Sequence, residues 1–351
     1  MTIADLDPMA WTVQRYSAAP LRMAFRATDR ADALLWQDGL RAKLAELLGG
    51  FPQERVPLAP TLLEVREFPE YVREKITFVS RPGVAVLAYV LTPKGAQGVP
   101  GTVVCVPGHG YGVDSIVGID ENGEERSEPS HPDEYARQAV ERGLAVVAIE
   151  PMAFGSRRDA AARQRGLDTA CQPVAGAALL FGETMIGWRV WDVMRTLDYI
   201  ESRPDLDARR VGCVGISGGG TCALFAAALD ERIQCTYLSC CLSTFAASIM
   251  TVPHCIDNYV PGILNWAESY DVAGLIGPRA LFSEAGEHDP LFPVDSAREA
   301  YQRIKHIYAA FGAADRVQQE VFDGGHRFNG EGGWEFVLDA LAPAVDGGRL
   351  G

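Results

Sequence analysis

The chain is 351 residues long, 48% hydrophobic, and carries a formal net charge of −14. That is enough apolar material for one large α/β domain or two small ones, and far from a disordered composition. The acidic balance argues against nucleic acid and anionic membrane surfaces as partners.

No apolar run reaches the length of a membrane span. The opening Met-Thr-Ile-Ala-Asp-Leu-Asp-Pro has neither the basic region nor the apolar core of a signal peptide. Of eight cysteines, Cys105, Cys213, Cys235, Cys240 and Cys241 lie in apolar, strand-like runs. Buried free thiols in a reducing, cytoplasmic setting are expected, rather than a disulfide framework. Cys240-Cys241 lacks metal-ligand spacing, and a zinc site built from cysteine and His254 lacks a second matched pair.

In chain order, residues 30–48 read as a helix. Leu34, Leu35, Leu40, Leu44 and Leu47 fall roughly on one face, and Gly49-Gly50 stops it. Residues 62–68, 72–80 and 84–92 alternate like strands, the last two joined as a hairpin by Arg81-Pro82-Gly83. From residue 102 strands alternate with helices. Strands are predicted at 102–106, 144–149, 211–216, 233–241, 280–285 and 318–322, and helices at 133–142, 186–202 and 221–229. Continuous apolar strands between helices predict a mostly parallel sheet buried on both faces, with ligands outside the carboxyl ends of the strands. Three connections, 110–132, 151–185 and 243–277, are too long for simple links and are expected to form lids or pocket walls.

Residues 211–221 read Val-Gly-Cys-Val-Gly-Ile-Ser-Gly-Gly-Gly-Thr. An apolar strand enters Ser217, glycines surround it and an Ala-rich stretch leaves it. Gly215-Ile216-Ser217-Gly218-Gly219 is therefore G-x-S-x-G in a strand–turn–helix context, which lifts a serine hydroxyl out of the sheet.

A serine hydroxyl needs a base, an acid that orients the base, and donors for an oxyanion. The base is assigned to His326, in Gly324-Gly325-His326 just after the last strand. His306 falls in a helix pattern, His131 in a loop, and His254 precedes every acid candidate. The acid is assigned to Asp289, where Pro290 fixes the turn after strand 280–285, with Glu287 as its rival. Asp295 is expected to cap the next helix, and His288 to be exposed. One oxyanion amide is that of Gly218. The other comes from the loop Pro107-Gly108-His109-Gly110-Tyr111-Gly112, at Tyr111 or Gly110. His109 is expected to brace that loop.

Together, Gly108-His109-Gly110-Tyr111, Gly215–Gly219, Asp289-Pro290 and Gly325-His326 resemble the α/β-hydrolase superfamily, in its order Ser…Asp…His. The chain looks like the acetyl xylan esterase and dienelactone hydrolase-like branch. Arg203–Val211 is similar to the linker before the elbow in that branch and in prolyl oligopeptidase-like enzymes. Two features depart from the pattern: Gly218 stands where sugar acetyl esterases usually carry Gln, and the nucleophile is Ser rather than the Cys of dienelactone hydrolases. The resemblance implies a triad of Ser217, Asp289 and His326. It covers roughly residues 60–340, and the chain is expected to divide into an N-terminal helical extension over 1–60 and an α/β-hydrolase catalytic domain over 61–345.

The expected chemistry is hydrolysis of a small-molecule carboxylic ester, short-chain or acetyl, with carbohydrate esters as one class, and it requires neither metal nor organic cofactor. Trp188, His254, Tyr259, Trp266 and Phe292, with His109, are the candidate pocket residues. A prolyl oligopeptidase-like peptidase, an amidase or a thioesterase would use the same triad. The roughly 60 residues before the strands are too few for a propeller. A non-catalytic binding module on this fold would normally show a broken triad. A homo-oligomer is compatible with the helical N-terminal region.

Overall fold

The computed structural model describes residues 6–126, 133–167 and 169–343, so His131 and the end of the 110–132 connection lie outside the described residues. Among the described residues nine strands form one sheet. They are β1 Thr61–Glu67, β2 Tyr71–Arg81, β3 Val84–Pro93, β4 Gly101–Val106, β5 Ala145–Ile149, β6 Asp207–Ile216, β7 Ile233–Ser239, β8 Ala280–Gly286 and β9 Val317–Phe322. The spatial order is β1-β2-β3-β5-β4-β6-β7-β8-β9. The pairs from β1 to β3 and the β3–β5 pair are antiparallel. The pairs from β5 to β9 are parallel.

The helices are α1 Pro8–Ala18, α2 Arg30–Leu47, α3 Tyr135–Glu141, α4 Ala160–Gln164, α5 Cys171–Leu180, α6 Met185–Glu201, α7 Ser217–Leu229, α8 Ser269–Gly274, α9 Val294–Ala310 and α10 Gly333–Ala340. Successive strand side chains point to opposite faces. Val104, Val106, Val147 and Ile149 therefore pack with α2, α6, α7, α8 and α9. Val103, Cys105, Val146 and Ala148 pack with α3 and α10 on the other face. Cover on both faces explains why β4 and β5 are buried at every position.

Several boundaries and faces differ from expectation. The α2 helix buries Ala33, Gln37, Leu40 and Leu44, while Leu34 and Leu35 are exposed. Its inward stripe is set by Gln37, whose amide donates to the carbonyls of Gly274 and Gly277, so the face is turned away from the leucine pair. The β6 strand begins at Asp207 rather than 211, because Asp207 pairs with Gly101 and its amide donates to Thr102 Oγ1. The α7 helix begins at Ser217 itself, not at Thr221. The β7 strand ends at Ser239, where Cys240 turns to φ +43°. Pro293 holds the cap position of α9, leaving Asp295 inside the first turn, bonded to Arg298 instead of capping. The 151–185 connection carries α4 and α5. Among the described residues no helix is long and apolar enough to cross a membrane.

Candidate active site

The site lies at the carboxyl ends of the parallel strands. β6 delivers the chain in extended conformation at Ile216, and the next residue, Ser217, takes φ +55° before α7 begins. An L-residue in this left-handed region is strained and persists only where its surroundings enforce it. The enforcement is close packing. A Cβ at Gly215 would stand 2.4 Å from the Gly219 carbonyl oxygen, and one at Gly219 would stand 2.0 Å from the Val106 carbonyl oxygen. Each added Cβ would meet backbone rather than a movable side chain, so no larger residue fits without moving the turn.

His326 follows β9 and Asp289 follows β8. Nδ1 of His326 is 2.8 Å from Oδ2 of Asp289. The other carboxylate oxygen of Asp289 accepts from the amides of Leu291, at 2.8 Å, and Phe292, at 3.1 Å. Burial alone would raise the Asp289 pKa, but the His326 imidazole and the two amides hold it below the ordinary carboxylate value. The Phe292 ring lies parallel to the imidazole, 5.8 Å between centroids and 13° between planes. Glu287 instead reaches outward to Arg298, and the His288 ring is exposed.

Ser217 and His326 line one cavity of about 460 Å³, together with His109, Gly110, Tyr111 and His254. Ser217 and His326 share this cavity without a hydrogen bond between them, a contact that commonly tightens around substrate. Arg126, Cys255 and Asn258 also line the cavity, and nothing in their sequence context singled them out. Arg126 donates to the Tyr111 hydroxyl, tying two parts of the first long connection together.

Glu150 ties the loop after β4 to the connection after β5. Oε1 of Glu150, at the end of β5, accepts from the Val113 amide at 3.0 Å, and Oε2 accepts from the Ser156 amide at 3.3 Å. Burial pushes the Glu150 carboxyl up to about 7, against the lowering effect of those two amides. The chain passes so close that a Cβ at Gly112 or Gly155 would come within 2.4 or 2.0 Å of the carboxylate.

At His109, Nε2 is 3.2 Å from Asp257 Oδ2, and the ring rests on Phe154. Asp257 also accepts from Arg189 Nη1 at 2.5 Å. Burial opposes the charge on both groups. It is outweighed by the neighbouring charges, so the His109 imidazole is held up at about 9 and Asp257 well below the carboxylate range.

The other expected pocket residues divide. His254 is in the cavity, its Nε2 2.9 Å from Ser248 Oγ and its ring against Phe292. Phe292 is buried behind His326 rather than facing the cavity. Trp188, Tyr259 and Trp266 lie elsewhere. Trp188 donates to Glu183 and sits under Arg81. Tyr259 lines a separate cavity between α1 and the third connection. Trp266 packs beneath Lys43 and Arg22. Trp188 and Trp266 each lie against a cation, and none of the three rings lines the cavity that holds Ser217.

The model of the Abhydrolase family matches residues 17–308. The "Putative hydrolase YtaP" of Bacillus subtilis (strain 168) is 30% identical over 279 residues, covering 78% of this chain and 89% of that relative. A "putative acetyl xylan esterase" from Bacteroides fragilis NCTC 9343 aligns with a TM-score of 0.74 at 19% identity, covering 90% of this chain and 82% of that one. The glucuronoyl esterase from Solibacter usitatus aligns with a TM-score of 0.66 at 16% identity, covering 93% and 100%. At such identities the solved structures speak for the fold, whereas the family match spans most of the sequence. With its mostly parallel nine-stranded sheet, helices on both faces and a serine at the strand–helix elbow, the chain belongs to the Abhydrolase family and has the α/β-hydrolase fold.

Proposed function

We propose that this protein is a serine carboxylic ester hydrolase acting on short-chain acyl esters, acetyl esters of carbohydrates among them, through Ser217, His326 and Asp289. The observation that carries the proposal is the 2.8 Å contact between His326 Nδ1 and Asp289 Oδ2, at a cavity that His326 shares with a serine on a strained elbow. The names of its structural neighbours, an acetyl xylan esterase, glucuronoyl esterases and a methylesterase, all describe cleavage of carboxylic esters.

In this mechanism Asp289 fixes the tautomer that carries the proton on Nδ1, leaving Nε2 to take the Ser217 proton. The serine oxygen bonds to the ester carbonyl carbon. The resulting oxyanion is met by the Gly218 amide and by an amide of the 108–112 loop, at Tyr111 or Gly110, each contributing about 3 kcal/mol. The imidazolium gives its proton to the leaving alcohol, and the acyl group stays on Ser217. Water, deprotonated by the same imidazole, then frees the acid. Residues 1–60 serve as an extension to a catalytic domain over 61–345. Eight free thiols support a reducing, cytoplasmic setting.

A short-chain aryl ester assay tests this. The wild-type chain is expected to turn over, and Ser217→Ala to lose about 10⁴-fold or more in kcat/KM. Activity retained in the variant would remove the proposal, and turnover of a peptide panel in place of esters would move it to the peptidases.

A further inference from the structure

Beside the catalytic cavity lies a cluster that the esterase chemistry does not use. His109 comes from the loop after β4, Cys171 is the first residue of α5, and Cys255 and Asp257 stand two apart in the third connection. One ligand atom from each, the ring nitrogen, the two sulfurs and a carboxylate oxygen, all lie within 4.8 Å of one another. We propose that His109, Cys171, Cys255 and Asp257 form a closed, four-coordinate zinc site that clasps the oxyanion loop, α5 and the third connection together.

The spacing carries the inference. Asp257 Oδ2 is 3.2 Å from His109 Nε2 and 3.3 Å from Cys171 Sγ, and Cys171 Sγ is 3.8 Å from His109 Nε2. Zinc bonds of about 2.0–2.3 Å to N, O and S place the ligands of a tetrahedron about 3.3–3.8 Å apart. Three atoms from three separate segments thus already stand at tetrahedral edge lengths. Two thiols, an imidazole and one carboxylate suit borderline-soft zinc and not the hard, oxygen-seeking cations.

The surroundings are those of a metal centre. The second oxygen of Asp257 accepts from Asn258 Nδ2 at 3.0 Å, and Oδ2 accepts from Arg189 Nη1 at 2.5 Å. Arg189 Nη2 is 3.5 Å from Cys171 Sγ, and its guanidinium is fixed by the Met152 carbonyl and stacked on Phe154. Ligating carboxylates and thiolates are normally oriented by such outer partners. The formal charges cancel, the dication and Arg189 against two thiolates and Asp257. Cys171 and Asp257 are buried, whereas His109 and Cys255 reach the catalytic cavity, which supplies a route for the ion. On binding, zinc forms one bond to each ligand atom, and every proton on the two thiols and on Nε2 passes to solvent. The ion is structural, with no position open for substrate, and the site stands whether or not the chain is an esterase.

The test is metal stoichiometry. Chain purified without chelator, or stripped and resupplied with zinc, is expected to hold about one zinc per chain by elemental analysis. Cobalt substitution is expected to give the visible bands of tetrahedral, thiolate-bound Co(II). Cys171→Ser with Cys255→Ser is expected to abolish both, and Asn258→Ala to weaken zinc binding about 10–100-fold. Ser217→Ala is expected to keep the full stoichiometry, so loss of hydrolysis and loss of metal are read separately. Should the cysteine variant fail to fold, the cobalt spectrum of the wild-type chain decides alone. No stoichiometric zinc after resupply, a Cys171–Cys255 disulfide in the mass spectrum, or equal zinc binding by a folded double variant overturns the site.

Discussion

Asp289 and His326 meet at 2.8 Å, while Glu287, a second carboxylate two residues earlier, points outward to Arg298 at 3.5 Å. The turn decides between them. The Asp289 side chain is fully buried and held by two backbone amides, so its free oxygen is already aimed at the imidazole before substrate arrives. Asp289→Asn is expected to keep the fold and lower kcat about 10⁴-fold, because an amide stabilises the wrong tautomer and no imidazolium. Glu287→Gln is expected to stay within about twofold of wild type, since an exposed ion pair contributes about 0–1 kcal/mol. Steady-state kinetics of the two variants side by side check this, and a crippled Glu287→Gln would reassign the acid.

Gly219 tests the elbow. A methyl group there would stand 2.0 Å from the Val106 carbonyl oxygen and 2.5 Å from that of Pro107, the residues that lead into the 108–112 loop. Relief requires the elbow and that loop to part. Gly219→Ala is expected to cost about 1–3 kcal/mol of stability, as overpacking does. It is also expected to lower kcat by about 10²-fold, because displaced oxyanion donors misplace the reacting atoms. Denaturant melts and kcat report the two effects separately. An unchanged kcat would mean the loop amides lie outside the reaction.

Phe292 tests how far packing orients His326, the proposed base. Its ring is parallel to His326 on one side and edge-on to His254 on the other. Phe292→Leu keeps apolar bulk but removes ring contacts that are worth about 0.5–1.5 kcal/mol beyond burial. The expected outcome is a fall in kcat of up to about tenfold with KM nearly unchanged. A raised KM at constant kcat would instead make Phe292 a wall of the substrate pocket.

Much of this was legible because burial writes itself into composition. The runs Gly101–Val106 and Ala145–Ile149 are apolar at nearly every position, and that follows from cover on both sheet faces. Ser217, Asp289 and His326 each sit just past a strand end, where short glycine- or proline-marked turns limit where the chain can go. The pocket walls were not legible in this way. Trp188, Tyr259 and Trp266 are large and apolar, but hydrophobicity reports that a ring finds cover, not which side of a connection covers it. The cluster of His109, Cys171, Cys255 and Asp257 spans 148 positions of sequence between its outer members (257 minus 109) and exists only through tertiary packing. The α2 face was misplaced for a related reason. Gln37 is buried because two carbonyls receive its amide, and an apolar count gives no weight to that.

Glu150 makes stability depend on pH in a defined window. Its carboxyl is buried, and its pKa is raised from 4.5 to about 7, chiefly by desolvation, with Asp114 adding to the rise and Arg157 opposing it. Arg157 is itself shared with Asp192, at 2.7 Å, so it neutralises Glu150 only in part. Between pH 4.5 and about 7 the folded chain holds a proton here that the unfolded chain has released. The contribution of this group is therefore fully present below 4.5 and is lost as pH rises to about 7, a total of about 3 kcal/mol. Glu150→Gln removes the titration but turns an NH₂ towards one of the two amides, at Val113 or Ser156, so one hydrogen bond is lost, at about 1 kcal/mol. The variant is expected to be the less stable chain at pH 4.5 and the more stable one at pH 8. Urea unfolding of both chains across that range measures the difference, in which the other titrating groups cancel. A difference that stays flat with pH would mean that Glu150 is ionised throughout and that the two amides, not burial, set its charge.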